Sequence, residues 1–413
     1  MSVTQNKNVN ANSKLSLANL QSAFTSNTER MIGVELEFYL VDKKTGQPKQ
    51  AFDQIFQALP ESVREYVKRE HLKCQIEIVS KPCRSLRELR DQFQSVLDQV
   101  EKVADRLGVR LQWTASHPDL DYNDDLVFQN ARTIHNQRRM GPLCKQLQTC
   151  GVHFHVGVTH DEVIEVIDGL QAYIPLLVAL ASNSPIMNGR DTGRRSQRAA
   201  IWSSGFAVCG LSGPHGDWQS FNDRVARLEQ AKRIEEPKDL YDFVRPTGYS
   251  TVEVRCCDLP CDLDQVIALA GLVQTLVVAL ADGNGSITRD RDFLRAELHE
   301  AALRGPEARL TDFKGDLVSP HQFLGQLVYQ LQPEARKIGN DLALRLAPAV
   351  LAENGSTRQL QAFARQSERK VQLANRREQL AVVRNRAVGV ATAAGLLIAA
   401  GLFAFSAAVK LLA

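Results

Sequence analysis

An α+β fold, built on one curved and mostly antiparallel sheet with helices on its outer face, is what this sequence predicts. Three observations lead there. Four short stretches, Met31–Leu40, Cys74–Val79, Gly151–Val158 and Thr251–Cys256, alternate polar and apolar residues with period two, the spacing of a strand with one face buried. Each lies alone between segments of helical pattern, with no internal repeat. Their polar positions are Glu35, Glu37, Gln75, Glu77, His153, His155, Glu253 and Arg255, a set rich in carboxylate and imidazole. Buried charge of that kind costs several kcal/mol per group unless something compensates it, and divalent metal does so well.

Composition narrows the classes. The chain has 413 residues, 44% hydrophobic and 23% charged, enough for a sizeable core. The formal net charge of +3 is small, and no basic stretch is interleaved with aromatics, so nucleic acid is not an expected partner. Eight cysteines show no Cys-x-x-Cys pair, which reads as reduced thiols in the cytosol rather than a cysteine zinc site.

Taken in order, residues 1–28 are rich in Asn, Ser and Gln, lack an apolar signal core and read as a disordered arm. The strand over 32–41 stops at the turn signal Asp42-Lys-Lys-Thr-Gly46. A helix is expected over 54–69, then the strand at 74–79. Ser85-Leu-Arg-Glu88 is a capping box opening a long helix that ends at Gly108, followed by a strand over 109–115. Residues 131–148 look helical, and the His-x-His strand follows. A second capping box, Thr159-His-Asp-Glu162, starts a helix expected to reach Ala181.

Residues 183–220, rich in Gly, Ser, Arg and Pro, read as a long functional loop. The Glu-x-Arg strand comes next, and Asp262-Leu-Asp-Gln265 caps a very apolar helix ending near Ala281. Gln274 and Thr275 interrupt that run, which is read as a core helix. Residues 290–350 look helical.

The C-terminus departs from this pattern. Residues 351–386 form a basic helical stalk, and 387–409 carry no charge. As a helix the latter span is roughly 34 Å, enough for a hydrocarbon core of about 30 Å. The basic flank would stay cytoplasmic. The expectation is a transmembrane tail anchor holding a cytoplasmic domain on the inner membrane, with a buried C-terminal helix as the alternative.

Each charged pair has a plain explanation taken alone: an exposed strand face, a satisfied polar histidine, an ion pair. Recurrence on four strands is what points to metal, and hard oxygen ligands favour Mg²⁺ or Mn²⁺. Arg190, Arg194 and Arg195 lie among glycines within the 183–220 loop and suit phosphate or carboxylate recognition.

Gly33-Val-Glu-Leu-Glu37, Ile76-Glu-Ile78, Gly151-Val-His-Phe-His-Val-Gly157, Asn188-Gly-Arg-Asp-Thr-Gly193 and Thr251-Val-Glu-Val-Arg-x-x-Asp258 together resemble the type 2 glutamate–cysteine ligase family, or carboxylate–amine ligases. The resemblance runs over about residues 30 to 285, and residues 29–350 are accordingly the expected catalytic domain. It implies a glutamine-synthetase-like funnel around ATP and Mg²⁺ or Mn²⁺, and joining of a carboxylate, typically the γ-carboxylate of glutamate, to an amine, by default cysteine, through an acyl phosphate. It makes Glu35, Glu37, Glu77, His153 and Glu253 the metal ligands and Arg255 the phosphoryl-neutralising residue. Arg190 and Arg194 become phosphate or substrate contacts, and His155 a cofactor contact. Residues 194–198, Arg-Arg-Ser-Gln-Arg, stand where relatives carry a more aromatic stretch. The other functions weighed are a metal-dependent hydrolase and a catalytically silent nucleotide-binding membrane protein. A homo-oligomer is left open.

Overall fold

In this computed structural model the described residues are Gln21, Phe24, 27–206, 208–366, Glu368 and Gln372. The predicted anchor at 387–409 lies outside them, as do most of the predicted arm and the stalk beyond residue 372. The chain divides into the units Met1–Gln359 and Leu360–Ala413. In the second, residues 360–366 are helical.

The first unit is organised by a seven-stranded sheet. Its strands are β1 (Ile32–Asp42), β2 (Val67–Lys68), β3 (Gln75–Val79), β4 (Val109–Gln112), β5 (Gly151–Gly157), β6 (Val244–Pro246) and β7 (Thr251–Asp258). Their spatial order is β6-β7-β5-β1-β3-β2, with β4 also paired to β1, and every pairing is antiparallel. All four predicted strands are therefore neighbours at the centre of one sheet.

Period-two alternation sorts their side chains. Val34, Leu36, Phe38, Ile76, Ile78, Val152, Phe154, Val156, Val252 and Val254 are each at most 1% exposed and form one apolar row. Five principal helices are α1 (Leu86–Arg106), α2 (Val163–Gln171), α3 (Ile174–Ala181), α4 (Gln197–Ser204) and α5 (Leu263–Ala281). Helix α5 packs on β1 and β5, α2 on β6 and β7, and α3 on β7. The alternation ends at Arg255 because the register with β5 shifts between Val254 and Cys257, so that Cys256 and Cys257 are both buried.

Both predicted caps at α1 and α5 form: Ser85 accepts from the Glu88 amide and Asp262 from the Gln265 amide. The expected helix over 54–69 is instead two short helices, Phe52–Ala58 and Glu61–Arg64, and strand β2. Pro60 separates them, holding Leu59 extended. The helix expected to run from 159 to 181 starts at Val163 and bends by 60° between α2 and α3, where Pro175 opens the second. Glu162 does accept from the Thr159 amide, as a capping box requires, but its carboxylate also pairs with Arg30. The 131–148 helix stops at Gly141 and continues as a 3₁₀ turn. The 109–115 strand stops at Gln112. The helical reading of 290–350 misses a small hairpin, Leu310–Thr311 with Leu317–Val318.

Phe154 lies at the centre of the apolar row, opposite Val34 and Val254. Phe154→Ala is expected to cost about 3–5 kcal/mol, measured as a lower denaturation midpoint; a loss under about 1 kcal/mol would show that this row is not the core.

Candidate active site

Strand register builds the site. Across β1 and β5 Glu35 faces His153, across β1 and β3 Glu37 faces Glu77, and across β7 and β5 Glu253 faces His155. Because β5 lies between β1 and β7, the two histidines stand between the carboxylates of the flanking strands. His153 Nδ1 is 3.0 Å from Glu35 and its Nε2 3.6 Å from Glu37. His155 Nε2 is 3.3 Å from Glu35 and 3.8 Å from Glu253, and it is buried with no aligned hydrogen-bond partner among the described residues. Arg255 pairs with Glu253 on its own strand.

The glycines that flank the histidine strand are there for space. A Cβ on Gly151 would fall 2.3 Å from the Arg198 guanidinium, and one on Gly157 would fall 2.7 Å from the Asn27 side chain. The Gly151 amide also donates to the Glu37 carboxylate.

Three participants are absent from the sequence reading. Glu70, in the β2–β3 connection, brings an oxygen into a group with Glu37 and Glu77, all ligand atoms lying within 4.8 Å of one another. It sits in the charged run Lys68-Arg-Glu-His71, which looks like a solvated turn and carries no periodic signal. Arg245 faces Glu253 across β6 and β7 and binds it at 2.7 Å. The alternation Phe243-Val-Arg-Pro followed by Thr-Gly is a hairpin signal that could have found it, with Pro246 suited to an edge strand. Arg198 reaches from α4 to within 3.3 Å of His153 Nε2 and donates twice to the Arg255 carbonyl, at 3.1 Å each.

The site has two halves with opposite electrostatics. Burial opposes charge on Glu35, yet the His155 and His153 imidazoles hold its carboxyl well below the ordinary range. Burial likewise works against Glu253, and the Arg245 and Arg255 guanidinium groups overcome it, holding that carboxyl far down. The same anions raise His155 against its burial, whereas burial and Arg255 lower His153. In the other half, burial and then the charges of Glu37 and Glu35 push Glu70 up to about 8. Burial, followed by Glu35, Glu70 and Glu37, raises Glu77 well above its ordinary value. Both carboxylates keep a solvent-accessible edge while being crowded by protein, as the wall of a recess would be.

This donor set fits divalent metal. Glu35, His153 and Glu253 make one group of three ligand atoms within 4.8 Å, and Glu37, Glu70 and Glu77 make another. The second is all carboxylate, the hard-oxygen donor set that suits a divalent cation, and its raised Glu70 and Glu77 carboxyls show how strongly the three repel when no cation lies between them.

Arg190 and Arg194 are not brought to these groups. Strands Ile186–Met187 and Arg190–Asp191 form a hairpin through Asn188 and Gly189, both at positive φ, which leaves Arg190 exposed. Arg194 is half-buried and its contact is with Gln197 at 3.5 Å. The predicted long loop 183–220 thus contains this hairpin and helix α4. Gln75 is fully buried beside Cys150.

Because the ordinary value of Glu70 is 4.5 and its folded value about 8, the metal-free native state retains a proton that the unfolded chain loses. Stability present below pH 4.5 is lost as pH rises through about 8. Glu70→Gln is therefore expected to raise the melting temperature of chelator-treated protein at pH 8 and to leave it nearly unchanged at pH 4.5. An equal shift at both pH values would contradict this.

Comparison with known proteins identifies the family. The model of the glutamate-cysteine ligase family 2 matches residues 31–379. A Frankia alni protein named "Putative glutamate--cysteine ligase 2-1" is 31% identical over 363 residues, 84% of this chain and 94% of its own. A Cronobacter sakazakii protein named "Putative glutamate--cysteine ligase 2" is 30% identical over 331 residues, 79% of this chain and 89% of its own. Among solved structures, a Francisella tularensis glutamate–cysteine ligase in complex with AMP is similar with a TM-score of 0.58 at 12% identity, covering 82% of this chain and 86% of that one. A bifunctional glutathione synthetase from Pasteurella multocida gives 0.53 at 14% identity, covering 84% of this chain and 50% of that one. The two solved structures speak to the fold, an antiparallel sheet with helices, and the family match to the chemistry. The chain belongs to the glutamate–cysteine ligase family 2 and is an ATP-dependent, amide-forming ligase.

Proposed function

We propose that the protein joins the γ-carboxylate of glutamate to an amine, with cysteine as the leading acceptor, through an acyl phosphate. The observation that carries this reading is the pairing of two three-ligand groups with buried arginine on one sheet face. A carboxylate is a poor electrophile and needs activation. Its oxygen would attack the γ-phosphorus of ATP, breaking the bond to ADP. The amine nitrogen would then attack the acyl carbon, phosphate leaving as the amine loses a proton.

Glu35, His153 and Glu253 would hold one Mg²⁺ or Mn²⁺, and Glu37, Glu70 and Glu77 a second. Bound there, the metals neutralise phosphate charge. Arg255 carries a guanidinium that stays charged under any condition of turnover, raised by Glu253 despite its burial. It would meet charge on the transferring phosphoryl group. His155, whose Nε2 lies between Glu35 and Glu253 with no aligned hydrogen bond among the described residues, would meet a phosphate oxygen. The Arg190 hairpin would close on the site with substrate in place, and Arg194 would contribute from its base.

ADP release is expected to require Mg²⁺, glutamate and an amine together, with the amide product identified by mass spectrometry. Glu35→Gln and Glu253→Gln should each reduce turnover by roughly a hundredfold or more. Full activity in both variants would refute the assignment, and product with no dependence on glutamate would redirect the substrate.

On sequence grounds we also propose that residues 387–409 anchor the catalytic domain to the inner face of the membrane, the basic 365–386 segment facing anionic lipid. Full-length protein is expected in the membrane fraction and a chain ending at residue 366 in the soluble one. Full-length protein recovered wholly in the soluble fraction would exclude the anchor.

A further inference from the structure

Asp258 ends β7 with 1% of its surface exposed, and no step proposed above uses it. Three donors converge on its carboxylate. The Asn183 amide and the Ser184 hydroxyl reach Oδ2 at 2.8 and 2.7 Å, and the Ser196 hydroxyl reaches Oδ1 at 2.8 Å. Asn183 and Ser184 begin the segment that carries the Arg190 hairpin, and Ser196 ends it. One carboxylate therefore ties together the two ends of that segment.

We propose that Asp258 is a positioning residue, closing the base of the 183–198 segment and, through Arg198, fixing the His153 imidazole and the Arg255 backbone. The connection is continuous. The Arg198 amide donates to the Ser184 hydroxyl oxygen at 3.0 Å, and the Ala199 amide donates to Ser196, which caps α4. Ser184 and Arg195 are joined through their backbones at 3.2 Å, as are Gln197 and Ser184. From that start α4 sends the Arg198 guanidinium across Gly151, into the space that its missing Cβ leaves, to His153 and the Arg255 carbonyl. Arg198 is 3% exposed and has no carboxylate within ion-pair distance among the described residues. Its place is set by this scaffold rather than by a direct ion pair. A carboxylate suits the position because it accepts from all three donors and offers none that would oppose them.

The turnover part of the test rests on the ligase reading, and the proteolysis part does not. In full-length protein that remains folded by circular dichroism, Asp258→Ala is expected to raise tryptic cleavage after Arg190, Arg194 or Arg195 about tenfold, with cleavage elsewhere unchanged. It should also lower kcat about tenfold or more, and combining it with Arg198→Lys should do no more than the worse single change. If Asp258→Ala does not fold, the double variant Ser184→Ala with Ser196→Ala carries the same two expectations. Unchanged cleavage in this segment, or effects on kcat that multiply, would overturn the proposal. Absence of wild-type turnover would count against the ligase reading alone and leave the proteolysis result to decide the clamp.

Discussion

Carboxylate charge held on one face of the central sheet is the constraint on which the rest of this structure depends. The register of β1 with β3 and β5 stacks Glu35, Glu37 and Glu77 so closely that their charges cannot all stand alone. The protein resolves the conflict differently at the two ends. Toward β7, partners belonging to the chain are built in: the Arg245 and Arg255 guanidinium groups on Glu253, and the two imidazoles beside Glu35. Toward β3, no arginine or lysine is paired directly with Glu70 or Glu77 among the described residues, and burial and mutual repulsion push both carboxyls up despite Arg255. One half is compensated by the chain's own groups, and the other leaves three carboxylates crowded together.

A face of that kind can be held rigid only if the opposite face is unusually well packed. Helix α5 meets this need with 19 residues, of which Leu263 to Leu280 are buried apart from Asp264. By length and hydropathy it could cross a membrane, yet its polar residues are used inside the fold. Gln274 donates to the Arg30 carbonyl at 2.8 Å and accepts from Asn340 at 2.8 Å, while Thr275 returns to the Gly271 carbonyl. The first of these bonds lies just before β1, so the helix also fixes where the acid-bearing strand begins. Lipid would offer Gln274 no such partners.

The sequence exposes whatever repeats with a period. Glu35, Glu37, Glu77, His153, His155, Glu253 and Arg255 were legible because strand alternation places them on one face, and the structure does bring them together. Residues delivered by connections escaped. Glu70 arrives from a turn whose charges look solvated, and Arg245 from a three-residue edge strand marked only by the short hairpin signal around it. Arg198 was visible only as part of a basic run, because its role depends on the space above Gly151 in another element. Helix boundaries failed for a related reason. At Pro60 and Pro175 local backbone chemistry overrode an apolar pattern that continued across the break.

This division between strand and connection also separates what the sheet register holds fixed from what can vary. Most of the proposed site residues sit on paired strands, where a shift of one residue would turn every side chain to the wrong face. The Arg190 hairpin is restrained at its base by Asp258 while its tip stays exposed, so the tip can vary without disturbing β7. A change in the strands would disturb the carboxylate groups, whereas a change at the hairpin tip, residues 188–191, leaves the register of the sheet intact.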